Sequence, residues 1–427
     1  MGPNKITRRT LGECPESLDR ASPNFVSLLN FQLRRKVTDR SGSGSRRHAK
    51  ATKHDSRQSN LRTTLELVSR HGATSRAEIA RQTGLSRAAV SSLVGELIDQ
   101  SLLRELGQGA SAGGKPPTLL AINERAREIV AVDLGHQPFQ AALVDLTGRI
   151  HERSEADPST GALTGQSALA VATSVIEEMV SRSTAPVLGI GIGAPGVIAP
   201  DGWVLESSNL AWHGLDLGAE LRDRFDIPVA IANDAAMAAL AEFRRHPTDR
   251  NLILVKLGRG VGAGLVLDGN LYRGQHSAAG EIGHVRAREG GARCSCGRDG
   301  CLETVAGVPA ILNAIGADPD HDPWDAIALA GLYDDASLRS ALVDAGRAVG
   351  EALAGVVASL DVGHVILAPE LRNASDILVE AVREELSGRI LPASAELIEV
   401  EATQLGGDLV LAGAASAVLV DRLGAVL

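Results

Sequence analysis

The chain has 427 residues, 44% apolar and 22% charged, a balance that suits two or three soluble domains; no apolar run approaches the roughly 18 residues of a membrane helix. Residues 25–33 form too short and interrupted an apolar stretch for a signal peptide, so a cytoplasmic location without a membrane partner is expected. The net charge of −9 conceals an asymmetry: the first 121 residues carry 20 Lys and Arg against 10 Asp and Glu, the remainder 23 against 42, which suggests a polyanion partner for the front alone.

Residues 1–56 lack sustained periodicity and read as a disordered basic arm, with 34–57 rich in Arg, Lys, Ser and His. Order is expected from about Ser59. There Asn60 would cap a first helix that lays Leu61, Leu65 and Val68 on one face and ends near His71-Gly72. Ser75 and Glu78 have capping-box spacing and open a second helix through Ile79, Ala80 and Thr83. Gly84 supplies the positive φ of a tight turn, and Ser86 caps a third helix. In it Val90, Leu93, Val94, Leu97 and Ile98 share one face, while Arg87, Ala88, Ser91 and Ser92 stand opposite. After Leu103 the residues alternate, pass a Gly/Ser-rich tip at 107–114 and return through Lys115, as a β-hairpin wing would.

A capped helix, a glycine turn and a second helix are what seating a recognition helix in the major groove requires. Small residues at its exposed start let the backbone approach the bases. Arg87 suits guanine or a phosphate, and Lys115 suits a phosphate or the minor groove. A generic three-helix bundle or a protein-docking winged helix would share the apolar pattern, but the local basic charge favours DNA. Residues 57–122 are therefore expected to be a winged helix-turn-helix domain with operator DNA as partner.

From Glu128 the pattern changes. Apolar residues 129–132, the Asp133-Leu-Gly135 turn and residues 141–144 read as a strand hairpin, and residues 252–255, Gly258 and 262–267 repeat the plan. Helices follow at about 340–360, 373–387 and 412–423, with a strand at 364–367. Residues 125–427 thus read as α/β with an internal duplication.

Three of the four cysteines fall within eight residues, and with His284 they give His284-x9-Cys294-x-Cys296-x4-Cys301, set among glycines. Four soft ligands suit a closed tetrahedral zinc site at 284–301 that holds a loop and performs no chemistry. Idle reduced thiols, or a redox pair at Cys294 and Cys296, are the alternatives; the clustering favours metal.

Leu257-Gly-Arg-Gly-Val-Gly-Ala-Gly-Leu265, then Ala279-Gly-Glu-Ile-Gly-His284, then Cys294-Ser-Cys-Gly-Arg-Asp-Gly-Cys-Leu-Glu303 resemble the ordered motifs of the ROK family (repressors, open reading frames and kinases). The resemblance spans about 57–427, and Arg57-Gln-Ser-Asn60 and Gly113-Gly-Lys-Pro-Pro117 resemble the DNA-binding segment of the family's repressors. It implies a duplicated actin-like, ribonuclease-H-type sugar kinase fold behind a winged helix. It also implies that Glu281, His284 and Glu303 hold sugar hydroxyls, with His284 also ligating zinc. It implies the same of Asn233 and Asp234, which match the family's Asn-Asp pair; in the family's kinases that Asp is the general base. Gly193-Ala-Pro-Gly196 matches the hinge region.

The phosphate side departs from the family's kinases. His136, Gln137 and Pro138 replace a Gly and a Thr after Gly135, Arg259 stands where Thr is usual, Ala236 replaces an Asn, and Ala368-Pro369 replaces a Gly pair. ATP is therefore not expected as a cofactor. The expected function is a sugar-responsive transcriptional regulator, a repressor on family grounds, acting as a homodimer or tetramer. An ATP-dependent hexose kinase with Asp234 as base is the alternative.

Overall fold

The computed structural model describes residues 53–110, 116–156, 163–246, 249–317, 336–371 and 374–424, the side chains of 53–55 excepted. The basic arm through residue 52 and the hairpin tip with Lys115 lie outside the described residues. Two compact units divide the chain, Met1–Asp55 and Ser56–Leu427, and almost all of the described residues belong to the second.

Helix α1 spans Lys53–His71 and starts earlier than the apolar pattern predicts. Asn60 is not its cap; it lies inside, and its carbonyl accepts from Thr64 Oγ1 at 2.8 Å. The added turn is anchored by charge, Arg57 Nη2 meeting Glu96 Oε2 at 2.5 Å, which apolar periodicity does not register. Strand β1 (Thr74–Ser75) leads into α2 (Arg76–Thr83), where Ser75 Oγ accepts from the Glu78 N–H at 3.2 Å. Glu78 itself binds Arg81 and Gln82, so the reciprocal half of the capping box is missing. Gly84 takes φ +70° in the turn, and Ser86 caps α3 (Arg87–Asp99). Strands β2 (Leu103–Gln108) and β3 (Thr118–Ile122) form the hairpin, and β1 joins as a third strand in the order β1-β3-β2.

The first α/β lobe is built on an antiparallel meander of β4 (Glu128–Asp133), β5 (Gln140–Asp145) and β6 (Ile150–Glu155). After α4 (Gly165–Arg182), β7 (Val187–Ala194) runs parallel to β4. A small sheet of β8 (Val197–Ile198), β9 (Trp203–Ser207) and β10 (Trp212–Asp216) follows. Then α5 (Leu217–Phe225) precedes β11 (Val229–Asn233), parallel to β7, and α6 (Asp234–Arg245) leaves the sheet.

The second lobe repeats the scheme. Its meander is β12 (Leu252–Leu257), β13 (Val261–Leu267) and β14 (Asn270–Tyr272). Past α7 (Ala336–Leu360) comes β15 (His364–Pro369), parallel to β12; past α8 (Ser375–Arg389) comes β16 (Glu399–Ala402), parallel to β15; α9 (Leu409–Leu423) closes the described chain. The sheet orders β11-β7-β4-β5-β6 and β14-β13-β12-β15-β16 are the same plan twice. The duplication expected from two hairpins extends to whole lobes.

Helices α6 and α9 pack at close range: a Cβ on Gly413 would lie 1.8 Å from the Met237 carbonyl oxygen, so only glycine fits. On its other side α9 places Leu411, Ala414, Val418 and Leu419 in one core with Ile129, Ala131 and Val144 of the first sheet. Leu61, Leu65, Val90 and Leu97 of the N-terminal helices belong to that same core. The helical head and the first lobe therefore share buried apolar surface, with no separate core for each.

Candidate functional site

The Asn233-Asp234 pair sits where β11 ends and α6 begins. Asn233 Oδ1 caps the helix, accepting from the N–H groups of Ala235 at 2.9 Å and Ala236 at 3.2 Å, while Nδ2 donates to the Gly196 carbonyl at 3.0 Å. The amide is thus committed to tying α6 to the Gly193-Ala-Pro-Gly196 turn, with one N–H left over. Asp234 has both oxygens engaged as well. Oδ1 accepts from the Ala235 N–H at 2.9 Å, and Oδ2 pairs with Lys256 Nζ at 2.6 Å.

Lys256 is the residue that motif reading missed. It is the lone charge in the otherwise apolar β12, two residues before the glycine loop, and that isolation was the available signal. Burial would lower its pKa, but Asp234 and Asp133 hold its ammonium well above the ordinary range. Burial pushes Asp133 up, with Lys256 opposing and Asp234 reinforcing. Gly135 covers this group: a Cβ there would sit 2.3 Å from Asp234 Oδ2 and 3.1 Å from Lys256 Nζ.

Glu281, His284 and Glu303 gather beyond β13. His284 closes a short 3-10 turn after Glu281, and its Nε2 lies 3.9 Å from Glu281 Oε2. Its Nδ1 faces Cys294 Sγ at 3.5 Å and Glu303 Oε1 at 3.8 Å. Glu303 starts a short helix, Glu303–Ala306, and accepts from the Cys294 thiol at 2.8 Å. A Cβ on Gly260 would come within 3.4 Å of Glu303 Oε2, so the glycine loop after β12 lies over this carboxylate. Burial raises the pKa of Glu281; His284 opposes, while Asp234, Glu303 and Glu206 reinforce it. The expected polar residues therefore act on one another electrostatically. They make a patch rich in acceptors for vicinal hydroxyls.

The knuckle passes a geometric test for a metal. Bonds of about 2.3 Å to sulfur and 2.0–2.1 Å to nitrogen imply tetrahedral edges of roughly 3.8 Å between sulfurs and 3.6 Å from sulfur to nitrogen. Cys296 Sγ and Cys301 Sγ are 3.7 Å apart, Cys294 Sγ and His284 Nδ1 3.5 Å, and all four donors lie within 4.8 Å of one another. His284 would bind through Nδ1, leaving Nε2 on the Glu281 side.

Arg87, Ala88, Ser91 and Ser92 are all exposed along α3, with Ser92 Oγ accepting from Arg57 Nη2 at 3.3 Å. Lys115, expected on the wing, lies outside the described residues.

Two meander-plus-parallel lobes, with carboxylates gathered at the ends of β4 and β11 and around β12 and β13, define a sugar-kinase-like α/β protein. Residues 129–421 match the ROK family model, and the chain belongs to that family. The xylose repressor of Bacillus spizizenii is 29% identical over 365 residues, 84% of this chain and 94% of that protein. The DNA-binding transcriptional dual regulator NagC of Escherichia coli is 28% identical over 351 residues, 79% of this chain and 86% of its own length. The crystal structure of a ROK family transcriptional regulator, a homolog of the E. coli MLC protein, superposes with a TM-score of 0.72 at 25% identity, covering 87% and 97% of the two chains. Among the described residues no helix is long and apolar enough to cross a membrane.

Proposed function

We propose that the chain is a sugar-responsive transcriptional repressor: a winged helix-turn-helix at 57–122 binds operator DNA, and the 125–427 lobes bind the inducing sugar. The observation that carries this reading is the core shared by the head and the first lobe. A repressor must convert ligand contact into movement of its DNA reader, and that requires the ligand to bind DNA-competent and DNA-incompetent states unequally. From Asp234 the path runs along α6, across the Gly413 contact to α9, and into the apolar cluster of the head. The names of both curated relatives agree with it.

In this reading Asp234, Glu281, His284 and Glu303 accept from or donate to sugar hydroxyls, and Asn233 holds the start of α6 in place. Arg87, Ala88, Ser91 and Ser92 face the groove, Lys115 reaches the backbone, and a homodimer or tetramer matches two-fold operator symmetry. His284, Cys294, Cys296 and Cys301 would hold a structural zinc ion, which would fix the knuckle loop and with it the His284 ring. The location is cytoplasmic, where operators are.

A sugar kinase is the second reading, since Asp234 and the glycine loop after β12 are retained. Against it stand His136, Gln137, Pro138 and Arg259, and an Asp234 whose Oδ2 already holds an ammonium. A thermal-shift screen over monosaccharides, amino sugars and short oligosaccharides, with ADP release followed for every hit, separates the two. Sugar-dependent stabilisation without ADP supports the repressor. Turnover abolished by Asp234→Asn establishes the kinase, and a full panel without a hit removes both.

A further inference from the structure

At the end of α6 remote from Asp234 a second cluster of ligating side chains is assembled. Glu242 lies in the last turn of α6 and His246 follows the helix; His364 opens β15, and Glu401 belongs to β16. His364 Nδ1 meets Asp249 Oδ2 at 2.6 Å, and its Nε2 is 3.2 Å from Glu401 Oε1. His246 Nε2 is 3.5 Å from Glu242 Oε2 and 3.5 Å from Glu401 Oε1, yet it is buried without a hydrogen-bond partner.

The orphaned nitrogen decides between two accounts of this cluster. A proton shared by His364 with Asp249 and Glu401 would satisfy His364, but His246 Nε2 would keep only two long approaches of 3.5 Å, to Glu242 and Glu401, and no hydrogen bond of good geometry. A cation satisfies all of them. With arms of about 2.0–2.1 Å, as for zinc on imidazole and carboxylate, a tetrahedron has edges near 3.4 Å. The separations of His364 Nε2 and His246 Nε2 from Glu401 Oε1, 3.2 and 3.5 Å, bracket that value, and the donor atoms of His246, His364 and Glu401 all lie within 4.8 Å of one another. Asp249 on Nδ1 of His364 is the outer carboxylate that fixes the tautomer of a metal-ligating imidazole, aiming the Nε2 lone pair inward.

We propose that His246, His364 and Glu401 form a second metal site for a divalent transition ion of the zinc class. Two imidazoles with carboxylate oxygens suit that class rather than calcium or magnesium. The ion pins the C-terminal end of α6 to the β15–β16 edge of the second lobe, while the other end of α6 carries Asp234.

The test is a metal count on the full chain at pH 7.5, equilibrated with buffered zinc, before and after blocking the thiols with an organomercurial. The knuckle ion leaves when its sulfurs are blocked; an ion on nitrogen and oxygen stays. The expected wild-type result is a mercurial-resistant zinc ion in each chain, lost in His246→Asn and in Glu401→Gln. Cobalt in the resistant site should show d–d bands without sulfur charge transfer. Release of all zinc by the mercurial from the wild type overturns the proposal, and so does a resistant ion that persists in both variants. Because the wild-type count decides by itself, a variant that fails to fold does not blunt the test.

Discussion

Asp234, Lys256 and Asp133 come from three places in the sequence and meet as two carboxylates around one ammonium. Removing the cation leaves two buried like charges, so Lys256→Met should destabilise the chain by about 3–5 kcal/mol. Adding Asp234→Asn to Lys256→Met should recover part of that loss; strictly additive effects in denaturant unfolding would contradict the pairing. Gly135→Ala drives a methyl group into Asp234 Oδ2, and it should weaken sugar binding at least about tenfold, roughly 1.4 kcal/mol, by calorimetry. At this scale the sequence was informative where motifs have fixed spacing. The four donor atoms of the knuckle lie within 4.8 Å of one another, and Glu281 and Glu303 flank its His284. Lys256 offered only its isolation in an apolar strand as a signal, and the His246–His364 cluster offered none, because their partners come from distant parts of the chain that the fold brings together.

At the scale of elements, apolar periodicity located both hairpins and the long C-terminal helices, since those patterns report burial directly. It misplaced the start of α1, whose first turn is anchored by the Arg57–Glu96 pair, and it gave no sign of the two-residue β1 or of the small β8–β10 sheet. Glu128, at the start of β4, illustrates how polar contacts anchor an element. Burial pushes its carboxyl up, but hydrogen bonds from Ser183, Thr184 and the Ala185 N–H outweigh that and leave its pKa below the ordinary value. A depressed folded-state pKa contributes stability above the unfolded value near 4.5, and this is lost as pH falls through the lower, folded value. Glu128→Gln should therefore cost about 1–3 kcal/mol at pH 7 and progressively less below pH 4.5. A pH-independent difference in urea unfolding would refute this account.

At the scale of the molecule, the two lobes and the helical head do not behave as beads on a string. Head and first lobe share a core through α9, and α9 touches α6 where no side chain fits at Gly413. On the proposed reading, a change at the start of α6 would reach the N-terminal helices through packed, close-fitting elements. The head's sharing of a core cannot be read from a linear pattern, since the contacts join residues near 61–97 to residues near 411–419. The measurement that bears most directly on this account is the affinity of the purified chain for a duplex it has itself selected from a random pool, titrated with and without the sugar found by thermal shift. Repression relieved by sugar predicts operator affinity at least about tenfold lower with saturating sugar, a coupling of roughly 1.4 kcal/mol, and no such shift in Gly413→Val. Operator binding that is identical with and without a sugar known to occupy the site would contradict it.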